Sequence, residues 1–329
     1  MIVLLLLMLI VIMKVDWGDV VDILSKGNMT LILSAFIVAG SGFFAWALKW
    51  KNIINKLVEV NYSRVFVILM SGIFINTVTP GANVGGEAIR AYYLSKATGL
   101  KKRGALATIM LDKSCNYTAI STFLIFSIFV LLLFLRIPIH AKLVLEVASV
   151  AVVLIALSAF HVKRRHKALE SMPGRVLHRI YYFKPLKALR SKFERYILFE
   201  TYVMEMLGGF ISTFRALLGD RRVLGIGLLL GFFVWFAEFV KTYLIFHALG
   251  SDVSIMLVIA VETISMLIGI FVFLPGGIGA TELSMITLFS SCGIDMGTAT
   301  AVTLVSRSIY FIFALGIGYA STLWLKLRG

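Results

Sequence analysis

Charged side chains interrupt several long apolar runs of this sequence. They are Glu87, Arg90, Asp112, Lys113, Glu238, Lys241, Glu262, Glu282 and Arg307. One charge at the centre of a bilayer costs at least about 2.5 kcal/mol even on a lenient insertion scale, so such residues usually serve a function. Lys113 and Arg307 stand nine or ten residues inside their runs, roughly 15 Å deep at the rise of an α-helix, and could bind a phosphate. Glu87, Asp112 and Glu282 could balance these cations in an empty site, or accept an amine or a proton.

Two of the apolar runs, 64–95 and 255–292, contain helix-breaking residues in the middle. The breaks are formed by Pro80, Gly81, Pro275, Gly276 and Gly277. Proline lacks an N–H and clashes with the preceding turn, while glycine lets a ligand approach the backbone closely. If Thr79 caps the arm that follows the first break, the positive end of a helix dipole points toward the membrane centre and suits a phosphate. Alternatively, the glycines serve only tight packing of a hairpin.

The two breaks begin a repeated pattern, PGANVGGE and PGGIGATE, that places Glu seven residues after Pro. Thirty-two residues after Pro stands Asp112, followed by Lys113, in the first half and Arg307 in the second. Loop charges give the two halves opposite orientations, which is the inverted repeat common in transporters. A pattern this short could also arise by chance, because Pro and Gly are frequent helix breakers.

The composition requires a membrane. A hydrophobic fraction of 60% and a mean hydropathy of +0.95 are too high for a soluble globule. Runs that could enter or cross a bilayer are 1–13, 29–48, 64–95, 104–135, 143–162, 223–248, 255–292 and 298–325. We expect an all-α polytopic membrane protein with about six full spans and two oppositely oriented re-entrant helical hairpins. Its single membrane domain, 1–329, would contain repeat units 29–135 and 223–325.

Loop charges set the expected orientation, since cytoplasmic loops are rich in Lys and Arg. The loop that begins at Lys49 is basic, as are residues 96–103 and the C-terminal tail, whereas 14–28 is acidic. We therefore expect a multi-pass protein of the cell membrane with both termini in the cytoplasm. The basic, aromatic segment 163–222 would be cytoplasmic, either as amphipathic helices on anionic lipid or as a solvated connector.

Several of these residues also have a purely structural interpretation. Glu238 and Lys241 are spaced to neutralise each other on one helix face. Arg90 could extend to the cytoplasmic interface, and Trp46 and Trp235 suit packing or an interfacial belt. No spacing of Cys or His indicates a metal site, no catalytic residue stands out, and we expect no cofactor and no nucleic-acid partner.

The motifs TPGANVGGEAIRAYYL, LDKSCNY and LPGGIGATELSMITLF, with an Arg in the last span, resemble the lysylphosphatidylglycerol synthase transmembrane-region family. The resemblance covers nearly the whole sequence. It implies a polytopic helical fold and a role in lipid translocation, and carries over Pro80, Gly81, Glu87, Arg90, Pro275, Gly276, Gly277 and Glu282 as motif residues. Because the sequence stops at Gly329, we expect a stand-alone member without the soluble aminoacyl-transferase domain.

The leading hypothesis is a flippase or scramblase for a phospholipid or a polyprenyl-phosphate-linked lipid. It predicts a polar cleft that opens sideways into the bilayer. One alternative is an intramembrane enzyme acting on lipid-linked phosphate or sugar, and another is a secondary transporter of a soluble solute, whose cavity would open to water. The sequence leaves open whether the chain forms a homo-oligomer.

Overall fold

The structure, a computed structural model, describes residues 17–79, 85–134, 178, 181–182, 195–271 and 275–328. Regular structure in these ranges is entirely helical. The helices are α1 (Trp17–Ser25), α2 (Met29–Ile54), α3 (Tyr62–Val78), α4 (Gly85–Thr98), α5 (Lys102–Phe134), α6 (Tyr196–Gly219), α7 (Arg221–Ala248), α8 (Ile255–Phe271), α9 (Ala280–Ser291), α10 (Met296–Phe311) and α11 (Gly318–Arg328). A single 3₁₀ turn, Pro275–Gly277, precedes α9, and a π-helical turn, Ile312–Ile317, joins α10 to α11.

Within the described ranges, five helical stretches are long and apolar enough to cross a membrane. They are Met29–Ile54, Lys102–Val130, Tyr196–Gly219, Arg221–Ala248 and Met296–Arg328. The prediction of a polytopic all-α membrane protein is therefore confirmed. The predicted spans 1–13 and 143–162 lie outside the described residues.

The long helices define two ends of the bundle. Helices α2 and α7 run antiparallel in the most extensive helix contact, with Asn52 near the start of α7 (Asn52 Nδ2 to Val223 O, 3.5 Å) and Asn28 N donating to Ala248 O at 2.7 Å. We call the end where α2 stops and α5 and α7 start the basic end. It carries Lys51, Lys56, Lys102, Arg221 and Arg222. The opposite, acidic end carries Asp19, Asp22, Asp252 and Asp295.

Helices α3 and α4 form a hairpin whose open side faces the basic end. Arg64 near the start of α3 donates to Ala97 O near the end of α4, and the side chain of Asn76 lies against Gly86 close to the turn. A Cβ at Gly86 would lie 2.1 Å from the carbonyl oxygen of Gly72. Glycine is thus required for the close approach of the two helices.

Helices α8 and α9 form a second hairpin that starts from the acidic end. Ser127 on α5 donates to Ile259 O at 3.4 Å, near the start of α8. The turn uses the left-handed region at Gly276, Gly277 and Gly279, with φ of 58°, 66° and 86°, which only glycine adopts without strain. Its tip meets the first hairpin, because a Cβ at Gly276 would lie 3.2 Å from the methyl of Thr77.

Helix α6 differs from the sequence interpretation, which treated 163–222 as one polar segment. It is apolar enough to span, yet its contacts lie at the basic end. Arg103 Nη1 is 3.0 Å from Glu205 Oε1, and Lys56 Nζ is 2.7 Å from Asp220 Oδ2, directly after the helix. Hydrogen bonds from Lys56 and from the backbone of Val223 lower the pKa of Asp220. The half of α6 from Glu205 onward therefore lies against the basic end, and its contact with a cytoplasmic leaflet stays a prediction.

We expect Gly86→Ala to lower the free energy of unfolding by about 1–3 kcal/mol, the usual cost of overpacking a close contact. The measurement is the thermal unfolding midpoint of the purified protein in detergent. Gly225→Ala is the matched control, since a Cβ at this helical position meets nothing within 4 Å. Equal midpoints for the two variants would contradict the described packing of α3 on α4.

Candidate functional site

A cavity of about 310 Å³ lies where the tips of the two hairpins meet. Its wall is built from α2, α3, α4, α5, α7, α8, α9 and α10 together with the turn before α9. Of the residues singled out in the sequence, it is lined by Glu87, Arg90, Lys113, Glu238, Glu262, Gly276, Gly277 and Arg307. Asp112, Lys241, Pro275 and Glu282 stand behind or beside this lining. Pro80 and Gly81 lie outside the described residues.

Each half of the chain contributes one ion pair between its motif glutamate and a later cation. Lys113 Nζ is 2.8 Å from Glu87 Oε1, and Arg307 Nε is 2.5 Å from Glu282 Oε1. Arg307 also donates to the carbonyl oxygen of Gly276 at 3.0 Å. The side chains of both cations are only partly exposed, by 20% and 15%, so each stays within reach of a ligand in the cavity.

A buried cluster behind the lining is built around Asp112, which is fully buried. Its carboxylate is 2.8 Å from Arg90 Nη2 and 3.0 Å from Lys49 Nζ, and it accepts a hydrogen bond from Trp46 Nε1 at 3.1 Å. The guanidinium of Arg90 lies 4.0 Å above the ring of Trp50. Two cations thus share one carboxylate in a region from which water is largely excluded.

This cluster corrects two expectations. Arg90 does not extend to the cytoplasmic interface, because Asp112 and Trp50 hold it inside the bundle. Lys49 does not begin a loop, because α2 continues to Ile54 and the Lys49 side chain is fully buried. The sequence feature that could have indicated the burial of Lys49 is its helical spacing from Trp46 and Trp50, which places the three side chains on or next to one face of α2.

A further cation of the second half, Lys241, is buried and forms an ion pair with Glu238. The expected mutual neutralisation of these two residues on α7 is therefore present. Glu238 also lines the cavity. Nearby, Glu262 accepts a hydrogen bond from Thr242 at 2.5 Å, and Thr242 is 2.9 Å from Ser306 Oγ. The hydroxyl groups of Thr242 and Ser306 were missed in the sequence because Thr and Ser are common inside membrane helices.

One backbone N–H beside each break is already bound within the protein, and a phosphate site at these helix starts stays a prediction. The described part of α4 begins at Gly85, and Gly86 N donates to Asn76 Oδ1 at 2.6 Å. The hydroxyl of Thr79 donates to Ile75 O at the end of α3. In the second hairpin, Gly279 N donates to Glu282 Oε2 at 2.6 Å. A ligand anion would have to displace these acceptors, so the basic side chains are the better phosphate ligands.

Aromatic and amide groups complete the lining. Trp46, Trp235 and Tyr310 line the cavity, as do Asn76 and Asn116. The two tryptophans are thus part of the site and not of an interfacial belt. Among the described residues, no group of three or more His, Cys, Asp or Glu has the arrangement of a metal site.

We expect Asp112→Asn to lower the free energy of unfolding by about 3–5 kcal/mol, because Lys49 and Arg90 would stay buried without their counter-charge. Thermal unfolding in detergent measures the effect. Asp22→Asn is the control, since Asp22 pairs with Lys26 on the surface with 58% of its side chain exposed and should change the stability by less than about 1 kcal/mol.

The double variant Lys49→Met, Asp112→Asn removes one of the two stranded cations and should regain part of the loss. If the double variant were less stable than Asp112→Asn alone, the charge balance described for this cluster would be incorrect.

Comparison with known proteins matches this arrangement to one family. The sequence pattern of the lysylphosphatidylglycerol synthase transmembrane region matches residues 1–318. A UPF0104 membrane protein of Methanothermobacter thermautotrophicus is 30% identical over 307 residues, which cover 92% of this chain and 88% of the relative. A UPF0104 membrane protein of Pyrococcus horikoshii is also 30% identical, over 88% of this chain and 86% of the relative, and one of Methanocaldococcus jannaschii is 27% identical, over 93% and 88%. The resemblance inferred from the motifs is therefore confirmed, and the chain belongs to the lysylphosphatidylglycerol synthase transmembrane-region family.

Proposed function

We propose that this protein is a lipid translocase, a flippase or scramblase that moves the head group of a phospholipid or of a polyprenyl-phosphate-linked lipid across the membrane. The observation that carries the proposal is the ionic cavity at the meeting point of two hairpins, roughly halfway along the bundle. Lys113 stands eleven residues after the start of the 33-residue α5, or about 16 Å along its axis. A charged cavity at this depth provides a polar route through the hydrocarbon for a head group.

The hairpin geometry supports re-entrant loops in an inverted repeat. The hairpin of α3 and α4 enters from the basic end, and the hairpin of α8 and α9 enters from the acidic end. A Cβ at Gly276 would contact Thr77 where the two hairpins meet. With 17 residues, α3 and α8 are each about 25 Å long, shorter than the hydrocarbon core of about 30 Å. Irregular backbone at such a depth is tolerated where protein surrounds it or water reaches it. The described residues beside the first break and in the second turn, Thr79, Gly276 and Gly277, line the polar cavity.

One residue that lines the cavity is also exposed on the side of the described bundle. Tyr117 lines the cavity and is 53% exposed. It lies fifteen residues after the start of α5, about 22 Å along the helix, so this exposed position is far from either end. An opening at this height faces the hydrocarbon, so acyl chains could stay in the bilayer while the head group enters. The solute-transporter alternative requires a cavity that opens to water instead.

The ion pairs supply the binding chemistry. Lys113 and Arg307 donate charge-assisted hydrogen bonds to Glu87 and Glu282, and a lipid phosphate offers the same kind of acceptor oxygens. Binding therefore exchanges one anionic partner for another, and the charge of each cation stays compensated throughout. The basic end would lie on the cytoplasmic side of the cell membrane. The C-terminus would lie on the same side, because α11 runs alongside α3 and ends in Lys326 and Arg328.

The test is leaflet-resolved movement of tail-labelled fluorescent phospholipids in reconstituted vesicles, followed by bleaching of the outer leaflet with dithionite. We expect Lys113→Gln and Arg307→Gln each to slow the movement at least about tenfold, because a hydrogen bond to a charged group contributes about 1.5–3 kcal/mol. Lys26→Gln removes a surface cation with 73% of its side chain exposed and should move lipid at the wild-type rate.

Equal rates in vesicles with and without the wild-type protein, for every head group tried, would overturn the proposal. Equal rates for Arg307→Gln and Lys26→Gln would instead show that the ion pairs do not contact the head group.

A further inference from the structure

Glu262 is distinct from the other carboxylates in and around the cavity. Four of them form ion pairs: Glu87 with Lys113, Asp112 with Lys49 and Arg90, Glu238 with Lys241, and Glu282 with Arg307. Glu262 is only 8% exposed, and no described cation lies within ion-pair distance of it. A buried carboxylate without a cation is unfavourable. Such a group is compensated either by taking up a proton or by a cation that enters the cavity.

One oxygen of Glu262, a residue that lines the cavity, has no hydrogen-bond partner among the described residues. Oε1 accepts the hydrogen bond from Thr242, whereas Oε2 is buried and has no hydrogen-bond partner. The neighbouring residue Thr263 is 1% exposed, also lines the cavity, and its hydroxyl oxygen likewise has no partner. Ser306 also lines the cavity, and its Oγ is 2.9 Å from Oγ1 of the fully buried Thr242. Oxygen ligands of this kind suit a hard cation or the N–H donors of an ammonium group.

The charges around the cavity are divided between the two halves of the chain. In the first half, three cations (Lys49, Arg90 and Lys113) face two carboxylates (Glu87 and Asp112). In the second half, two cations (Lys241 and Arg307) face three carboxylates (Glu238, Glu262 and Glu282). One wall therefore carries an excess positive charge and the other an excess negative charge, and the unpaired carboxylate that makes the difference is Glu262. A ligand with separated positive and negative groups matches this distribution.

We propose that Glu262, with Thr242, Thr263 and Ser306, binds a single positive charge, which is the ammonium of a zwitterionic phospholipid head group or a sodium ion. The ammonium source rests on the proposed lipid translocation, with the phosphate of the same head group bound beside Lys113. The sodium source does not require lipid movement. In both cases the incoming cation completes the ion pair that Glu262 lacks.

The test compares wild type with Glu262→Gln, which keeps an acceptor for Thr242 but removes the charge. The vesicles carry tail-labelled phosphatidylethanolamine, its N-acetyl derivative without the ammonium, or phosphatidylglycerol, in sodium or in N-methyl-D-glucamine buffer. Glu205→Gln is the matched control, because Glu205 is 69% exposed at the basic end. Thermal unfolding in detergent, with and without sodium, reports both folding and direct cation binding.

Two results support the proposal and identify the source. If the ammonium is bound, Glu262→Gln slows phosphatidylethanolamine at least about tenfold and leaves phosphatidylglycerol unchanged, and wild type moves the N-acetyl lipid as slowly as the variant moves phosphatidylethanolamine. If sodium is bound, Glu262→Gln slows all three lipids, wild type loses the same activity in N-methyl-D-glucamine, and sodium raises the unfolding midpoint of wild type but not of the variant.

The proposal is overturned if a folded Glu262→Gln protein moves all three lipids at wild-type rates in both buffers. If the variant does not fold, the wild-type protein alone decides. The proposal is then overturned if wild type moves phosphatidylethanolamine and its N-acetyl derivative at equal rates and sodium does not change these rates. Should wild type move no lipid at all, the proposed translocase function fails separately. The unfolding midpoint then decides for Glu262: stabilisation of wild type by sodium supports the site, and no stabilisation overturns it.

Discussion

The structure depends on the pairing of charges that cannot reach water. Ten charged side chains in and around the cavity lie deep within helices that cross or enter the bilayer, where an isolated ion would be strongly unfavourable. Nine of them are compensated inside the protein, in pairs such as Glu87 with Lys113 or in the cluster around Asp112. This pairing fixes how the first hairpin packs on α2 and α5, since Arg90, Asp112 and Lys49 belong to three different helices.

The same constraint connects stability to function. A site made of tight ion pairs is inert unless a ligand can replace one partner at little net change in energy. At Lys113 and Arg307 the pairs lie at the cavity wall and are partly exposed, so under the proposed function a phosphate oxygen would take the place of a carboxylate. At Asp112 the cluster is fully buried, so it holds the hairpin in place and would take no part in that exchange. The glycines at the second turn allow its tight backbone path, because Gly276 and Gly277 adopt left-handed conformations.

Much of this arrangement could be predicted from the sequence, because it depends on spacing along the chain. The Pro-Gly breaks and the glutamate seven residues later indicated two equivalent hairpins, and Glu87, Asp112 and Glu282 were expected to balance Lys113 and Arg307. The burial of the Arg90 and Lys49 side chains could not be predicted, because a long basic side chain reaches either water or a buried carboxylate, depending on its tertiary neighbours. The hydrogen bond from Gly86 N to the side chain of Asn76 was missed for the same reason, because the donor and the acceptor lie on different helices.

The central claim is that the two hairpin tips, entering from opposite ends, meet inside the bundle. Disulfide cross-linking of Thr77→Cys with Gly276→Cys in native membranes, with Cys115 and Cys292 replaced by alanine, tests it most directly. A Cβ at Gly276 would lie 3.2 Å from the Thr77 methyl, which occupies a γ position that the sulfur of Thr77→Cys could take. The account predicts rapid cross-linking, as fast as for the control pair Ser71→Cys with Thr322→Cys, whose hydroxyl oxygens are 2.9 Å apart. Cross-linking of the control pair but not of the tip pair would contradict it.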